Sequence, residues 1–237
     1  LMSKNTNKVI EYLIKNPQPN LEFAINTNAC PPGETQWKEF VDKIKILEDN
    51  NCIKRFVLFV SAESKGAQAE YNRYGMDWTM FTDNIKYYLK HTSSSCVFMS
   101  AFNVLSIPTF LPFLKYVSRL KSGYKNDIKV DIPYVRSPGF LDAKIASDAL
   151  IKEYLHPCIP YMEGNNFNNR EKAQMKRIVK DLDLRHANSD NWKQEAIEGR
   201  RMFYEWIQQY DKRRDVNFLE VFPQMEEFYE ECKKCMI

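Results

Sequence analysis

Short apolar runs alternate with longer amphipathic stretches along the first half of the chain. The run at residues 56–60 is continuous and rich in β-branched and aromatic residues, which is typical of a strand buried on both faces. Similar runs predict strands at residues 21–28, 96–102 and 128–134, and helical periods predict helices at 6–15, 34–48, 76–91 and 107–121. Because strands buried on both faces belong to parallel sheets covered by helices, the pattern predicts an α/β fold with a parallel sheet or barrel.

The pattern changes after Pro138, where no further strand is predicted. Helical periods cover residues 141–155, 170–184, 191–211 and 223–234, and a loop rich in Pro, Gly and Asn covers residues 157–169. We therefore expect two parts, an α/β part at residues 1–138 and a helical C-terminal region at residues 139–237. These helices could cap a barrel, cover a sheet edge or form a partner surface, and the pattern does not choose among the three.

Polar side chains follow each predicted strand, and at the end of the 56–60 strand they carry the clearest chemistry. Ser61 and Glu63 are two residues apart, so their side chains point the same way at a strand end. A hydroxyl and a carboxylate in this arrangement suit the hydroxyls of a sugar. Arg73 could bind a ligand carboxylate through two parallel hydrogen bonds, or it could pair with Glu70 on the same helical turn. The competing interpretation of the whole stretch is a polar loop that closes a strand.

The other polar strand ends are Asn26 and Thr27 after the first strand, Asn103 after the third, and Arg136 and Ser137 after the fourth. In parallel barrels and open sheets, ligands bind at the carboxyl ends of the strands. Four polar strand ends in register therefore point to a binding site at this edge more strongly than any one of them.

Composition and charge exclude several classes of function. The formal net charge is +3 with both signs scattered along the chain, which does not indicate nucleic-acid binding. The sequence has neither a membrane-length apolar run nor a signal-peptide pattern. Six irregularly placed cysteines predict free thiols in a reducing compartment, and hence a cytoplasmic protein. Cys232 and Cys235 form a Cys-x2-Cys pair, but no second pair completes a metal site, so no metal ligand is predicted.

Several segments, in order, resemble radical S-adenosylmethionine (SAM) enzymes, in particular the twitch-domain group. The segments that carry the resemblance are Asn26-Thr27-Asn28, Ser61-Ala62-Glu63, Glu70-Tyr71-Asn72-Arg73-Tyr74-Gly75, Phe102-Asn103-Val104-Leu105-Ser106-Ile107-Pro108, Tyr210-Asp211-Lys212 and Phe222-Pro223-Gln224-Met225. Many members of the group have Asp in place of Glu63. The resemblance extends over nearly the whole chain, and its specificity comes from the order and spacing of the segments together.

The resemblance implies an incomplete parallel (β/α)6 barrel followed by the helical region. It implies that Ser61 and Glu63 bind the ribose of SAM, and that further SAM contacts come from Arg73, Asn103, Asn26 and Thr27. It also implies that the intact protein uses a [4Fe–4S] cluster to cleave SAM. The resulting 5′-deoxyadenosyl radical would abstract hydrogen from a small-molecule or peptide substrate.

One departure from the family pattern changes this expectation. The cluster motif Cys-x3-Cys-x2-Cys and the Gly-Gly-Glu-Pro that binds the amino group of SAM are both absent. The opening Leu1-Met2-Ser3 resembles the segment that follows Gly-Gly-Glu-Pro in the family. We therefore expect a fragment whose cluster ligands lie outside this chain and which is inactive alone, with a first strand that has an open edge. The alternatives are a natural short form, a cluster-free α/β nucleotide-binding module, and an interaction protein.

Overall fold

A computed structural model describes residues 4–187 and 191–236, so the opening Leu1-Met2-Ser3 lies outside the described residues. Four parallel strands form one sheet in the order β1 (Gln18–Thr27), β2 (Ile53–Ser61), β3 (Ser95–Met99) and β4 (Ile128–Asp131). The predicted parallel α/β fold is confirmed, and each predicted strand is present with shifted ends. Beyond β4, a single bridge between Phe102 and Tyr134 extends the pairing of the last two strands.

Helices precede β1 and connect each strand to the next. They are α1 (Lys4–Lys15), α2 (Glu34–Asp49), α3 (Ala67–Asn72), α4 (Trp78–His91) and α5 (Phe110–Gly123), with a 3-10 turn at Val104–Thr109 leading into α5. Pro112 is the third residue of α5, where the missing N–H costs no hydrogen bond. The short helix α3 was not predicted.

The two faces of the sheet are covered to different extents. Phe56, Leu58 and Val60 of β2 are buried, and Phe56 and Phe98 contact aromatic rings of α2, α4 and α5. Val57 and Phe59 point to the opposite face and are only half-buried. The expectation of burial on both faces is therefore wrong for β2, because α2, α4 and α5 all contact the face that carries Phe56 and Phe98.

We call the opposite surface the open face. It is formed by Ala24, Asn26, Val57, Phe59, Ser61, Val97, Met99, Lys129 and Asp131. On the open face, a groove of about 470 Å³ extends over β2, β3 and β4. It reaches the start of the helix that begins at Asn169. β1 lies at one end of the strand order, as the expected open edge requires, and β2 is its only strand neighbour among the described residues.

The C-terminal part is helical, as predicted, but its first segment is not one helix. Two 3-10 turns, Gly139–Leu141 and Ala143–Ile145, are followed by α6 (Asp148–Leu150) and a π-helical turn at Ile151–Leu155. The predicted helix at 141–155 is confirmed only for residues 148–155, because two capping side chains interrupt the segment before them. Asp142 accepts a hydrogen bond from the Lys144 N–H, and Ser147 accepts one from the Leu150 N–H.

The remaining helices are α7 (Cys158–Glu163), which lies in the predicted loop, α8 (Asn169–Asp183), α9 (Trp192–Arg214), α10 (Phe218–Val221), a 3-10 turn at Pro223–Met225 and α11 (Glu226–Lys234). Glu171 at the start of α8 is buried and anchors this helix to the sheet. Its carboxylate accepts hydrogen bonds from the Lys121 ammonium at 2.7 Å and from the Val130 N–H at 2.7 Å. The carboxylate thus satisfies a backbone donor of β4.

Candidate functional site

The side chains of Asn26 and Ser61 meet on the open face, at the carboxyl ends of β1 and β2. Asn26 is paired in register with Phe59, and Ser61 follows two residues later on the same face. The Ser61 hydroxyl donates to Asn26 Oδ1 at 3.4 Å. Asn26 is exposed and Ser61 is half-buried, so both polar groups remain accessible to a ligand.

Glu63 lies just beyond the end of β2 and is only 3% exposed. Arg73 donates to the same carboxylate oxygen of Glu63, Oε2, from Nε at 3.0 Å and from Nη2 at 2.5 Å. The other oxygen, Oε1, has no hydrogen-bond partner within the described part of the chain. Burial raises the pKa of the Glu63 carboxyl, while the charge of Arg73 opposes that rise. The pair therefore presents one oriented oxygen that is free to accept a hydrogen bond.

The loop that carries Glu63 is held by its own hydrogen bonds. The Ser100 hydroxyl donates to the Ala62 carbonyl at 2.8 Å, and the Asn72 amide donates to the Ser64 hydroxyl. Gly66 has a φ of +61°, a conformation that side-chain-bearing residues rarely adopt, and it is the N-cap residue immediately before α3. These contacts place Arg73, at the end of α3, opposite Glu63.

Arg73 has one expected partner that is wrong, Glu70, and one that stays a prediction, a ligand carboxylate. It does not pair with Glu70, whose carboxylate accepts a hydrogen bond from the Trp78 N–H at 2.8 Å. Its partner is Glu63, ten residues earlier in the chain. Direct binding of a ligand carboxylate by Arg73 stays a prediction, and the geometry gives Arg73 a positioning role towards Glu63.

Thr27 and Asn103 shape the turns at the ends of β1 and β3. The Thr27 hydroxyl accepts a hydrogen bond from the Ala29 N–H at 2.7 Å, and Thr27 is buried. Asn103 Oδ1 accepts from the Leu105 N–H at 2.9 Å, and its amide donates to the Ala101 carbonyl at 3.0 Å. The polar atoms of Thr27 and Asn103 thus already form hydrogen bonds with the local backbone. Ligand contacts by these two residues stay predictions.

The cysteines do not form a cluster. All six are free, and Cys232 is buried in α11 while Cys235 at the end of that helix is half-buried. Burial raises the pKa of the Cys232 thiol, which disfavours the thiolate that a metal would need. Within residues 4–187 and 191–236, no group of three or more His, Cys, Asp or Glu side chains is arranged to hold a metal ion.

A second cleft, of about 420 Å³, lies beyond the end of β4 and was not predicted. Tyr134 and Arg136 from the strand exit, Lys144 from the following turn, and Arg177, Ile178 and Asp181 from α8 line it. Arg136 was noted only as a polar strand end, and no motif or spacing marks Lys144 or Arg177. We call this cleft the basic cleft.

Comparison of the chain with protein-family models, with curated proteins and with solved structures finds no match. Of the helices that the structure describes, none combines the length and the apolar character needed to cross a membrane. The functional assignment therefore depends on the geometry at the carboxyl end of the sheet and on the sequence resemblance.

Proposed function

We propose that this chain forms the SAM-binding part of a radical SAM enzyme. The observation that carries the proposal is the hydrogen-bonded pair of Ser61 and Asn26, together with Glu63, which lies in the loop two residues after Ser61 and whose Oε1 has no partner among the described residues. This group lies at the carboxyl ends of two neighbouring parallel strands, which is the usual ligand-binding edge of such sheets. A carboxylate oxygen, a hydroxyl and the NH2 group of Asn26 at this edge suit the adjacent hydroxyls of a ribose.

The strand order supports the barrel part of the proposal. Each strand lies beside its neighbour in sequence, in the order β1-β2-β3-β4. A barrel wall has this order, whereas a doubly wound sheet reverses direction at a switch point. We infer an incomplete (β/α)6 barrel in which the open face is the interior wall.

Each residue then has a defined role towards SAM. The Glu63 Oε1 and the Ser61 hydroxyl oxygen accept hydrogen bonds from the ribose hydroxyls. Arg73 orients Glu63 through Oε2, and Asn26 orients Ser61 by accepting its hydrogen bond. Thr27 and Asn103 hold the turns that border the site. These polar atoms fit the ribose of SAM, and their binding role needs no metal.

The described residues do not fit the [4Fe–4S] cluster, since none of them forms a three-ligand group. We propose that its ligands lie outside this chain, and that the intact protein is cytoplasmic and acts on a small-molecule or peptide substrate. In the intact enzyme, the cluster and SAM together would supply the 5′-deoxyadenosyl radical. The residues of this chain contribute binding and orientation.

Titration calorimetry with SAM tests the binding role. We expect saturable binding that Ser61→Ala weakens about fivefold, which corresponds to the loss of about 1 kcal/mol for one neutral hydrogen bond. Ser93→Ala is the matched control because Ser93 is exposed and precedes β3, at the opposite end of the sheet. Unchanged affinity in a folded Ser61→Ala protein would contradict the assignment, and equal affinity for adenosine and SAM would favour a cluster-free nucleotide-binding module.

Anaerobic reconstitution tests where the cluster ligands lie. We expect this chain alone to retain no stoichiometric iron and to form no 5′-deoxyadenosine from SAM, because the described residues offer no ligand group. Four bound irons per chain together with 5′-deoxyadenosine would show that the cluster ligands are in this chain and would refute that part of the proposal.

A further inference from the structure

The basic cleft brings together cations from three separate segments. Arg136 follows β4, Lys144 lies in the 3-10 turn Ala143–Ile145, and Arg177 lies in the second half of α8. Tyr134 forms part of the wall, and the guanidinium of Arg136 lies 6.0 Å from the centre of its ring. The cleft shares no residue with the open face, so it is distinct from the site at Ser61.

The three cations of the cleft form no ion pairs among the described residues, whereas other cations of α8, the helix that carries Arg177, do. On α8, Arg170 pairs with Asp131, and Lys172 and Lys176 both pair with Glu163. Arg136, Lys144 and Arg177 form no side-chain ion pair in the part of the chain that the structure describes. Like charges that converge without forming ion pairs repel each other, so this arrangement leaves a place for an anion.

Two carboxylates lie near the cleft, and they do not cancel its charge. Asp181 lines the cleft directly. Asp142 is already engaged, because its Oδ1 accepts hydrogen bonds from the Tyr134 hydroxyl at 2.7 Å and from the Lys144 N–H at 2.9 Å. Three cations against two carboxylates leave an excess of positive charge in a concave site.

We propose that the basic cleft binds the oxyanion group, phosphate or carboxylate, of a small anionic ligand. Two guanidinium groups suit this chemistry, because their planar forks match the oxygens of a phosphate or carboxylate. Lys144 supplies a third positive charge, and the Tyr134 ring gives an apolar surface for the rest of the ligand. The position at the carboxyl end of β4 is where ligands bind in parallel α/β folds.

Titration calorimetry at low salt, with inorganic pyrophosphate in one arm and citrate in the other, tests the proposal. We expect one equivalent of at least one probe to bind, with binding weakened by added salt. Arg177→Gln and Arg136→Gln should each weaken binding about 10-fold or more, the effect of losing one charge-assisted hydrogen bond. The probe that binds more tightly identifies the class of oxyanion.

The matched control is Arg213→Gln, which removes the same charge from an exposed arginine near the end of α9 that forms no ion pair in the described regions. The affinity of Arg213→Gln for the probe should equal that of the unsubstituted protein. All three variants should have the melting temperature of the unsubstituted protein. The proposal is overturned if neither probe binds saturably, or if Arg213→Gln weakens binding as much as the cleft variants do.

Discussion

The ion pair between Glu63 and Arg73 predicts an asymmetric response to substitution. The side chain of Glu63 is 4% exposed, whereas that of Arg73 is 27% exposed. Removing the arginine charge leaves a buried carboxylate without a counter-charge, because Arg73 is the only hydrogen-bond partner of Glu63 among the described residues. Removing the carboxylate charge leaves a guanidinium that still reaches water. We therefore expect Arg73→Gln to destabilise the fold more than Glu63→Gln does.

The size of the effect follows from the two environments. Breaking a fully buried ion pair costs about 3–5 kcal/mol, and partial access to water reduces the figure for Arg73→Gln to about 2–3 kcal/mol at pH 8. The same substitution raises the pKa of Glu63 further, because the charge of Arg73 no longer opposes the effect of burial. Glu63→Gln should change the free energy of unfolding by less than about 1 kcal/mol, because neutral glutamine avoids the desolvation of a charge.

The pH dependence has a defined sign. Burial already raises the pKa of Glu63 in the folded state, so its protonated form is the one that folding favours. Stability associated with this carboxyl is present below the unfolded pKa of about 4.3 and is lost as the pH rises through the folded pKa. Without Arg73 the loss extends to higher pH, so Arg73→Gln should lower the free energy of unfolding less at pH 5 than at pH 8.

Urea unfolding followed by circular dichroism at pH 5 and pH 8 measures these differences. The double variant Glu63→Gln/Arg73→Gln should have the same free energy of unfolding as Glu63→Gln, because it contains no buried carboxylate without a counter-charge. Two results would refute the reasoning: equal costs for the two single variants, or a cost of Arg73→Gln that is the same at both pH values.

Two further predictions concern packing away from the site, and both are measured by urea unfolding. Glu171→Gln should lower the free energy of unfolding by about 2–4 kcal/mol, because it leaves the buried Lys121 ammonium without its carboxylate. The control Glu198→Gln, at an exposed ion pair, should change it by less than about 1 kcal/mol. Equal effects of the two substitutions would contradict the anchoring role of Glu171. Gly199→Ala should cost about 1–3 kcal/mol, because an added Cβ would lie 2.6 Å from Cγ2 of Ile145. The control Gly123→Ala, whose added Cβ has no atom within 4 Å, should leave the free energy of unfolding unchanged or raise it slightly. If Gly199→Ala also left it unchanged, the turn at Ile145 would have to move to make room for the added Cβ, and the predicted clash would be refuted.

The sequence by itself determined the parallel α/β part and the order of its elements. Short runs rich in β-branched and aromatic residues mark the strands, and the intervening amphipathic helices require parallel neighbours. The capping residues Asp142 and Ser147 were visible in the sequence, but the apolar period across them predicted a continuous helix. Local hydrogen bonds to the backbone outweighed that period.

Only the tertiary structure decided which surfaces are covered and which charges meet. The continuous run of β2 shows that Val57 and Phe59 are apolar, but it does not show that the helices lie on the other face. Arg73 has both Glu70 and Glu63 nearby in sequence, and the path of α3 selects Glu63. Lys144 and Arg177 are more than thirty residues apart and meet only because α8 lies beside the exit of β4. A sequence pattern records the chemistry of each side chain, whereas long-range packing determines its neighbours.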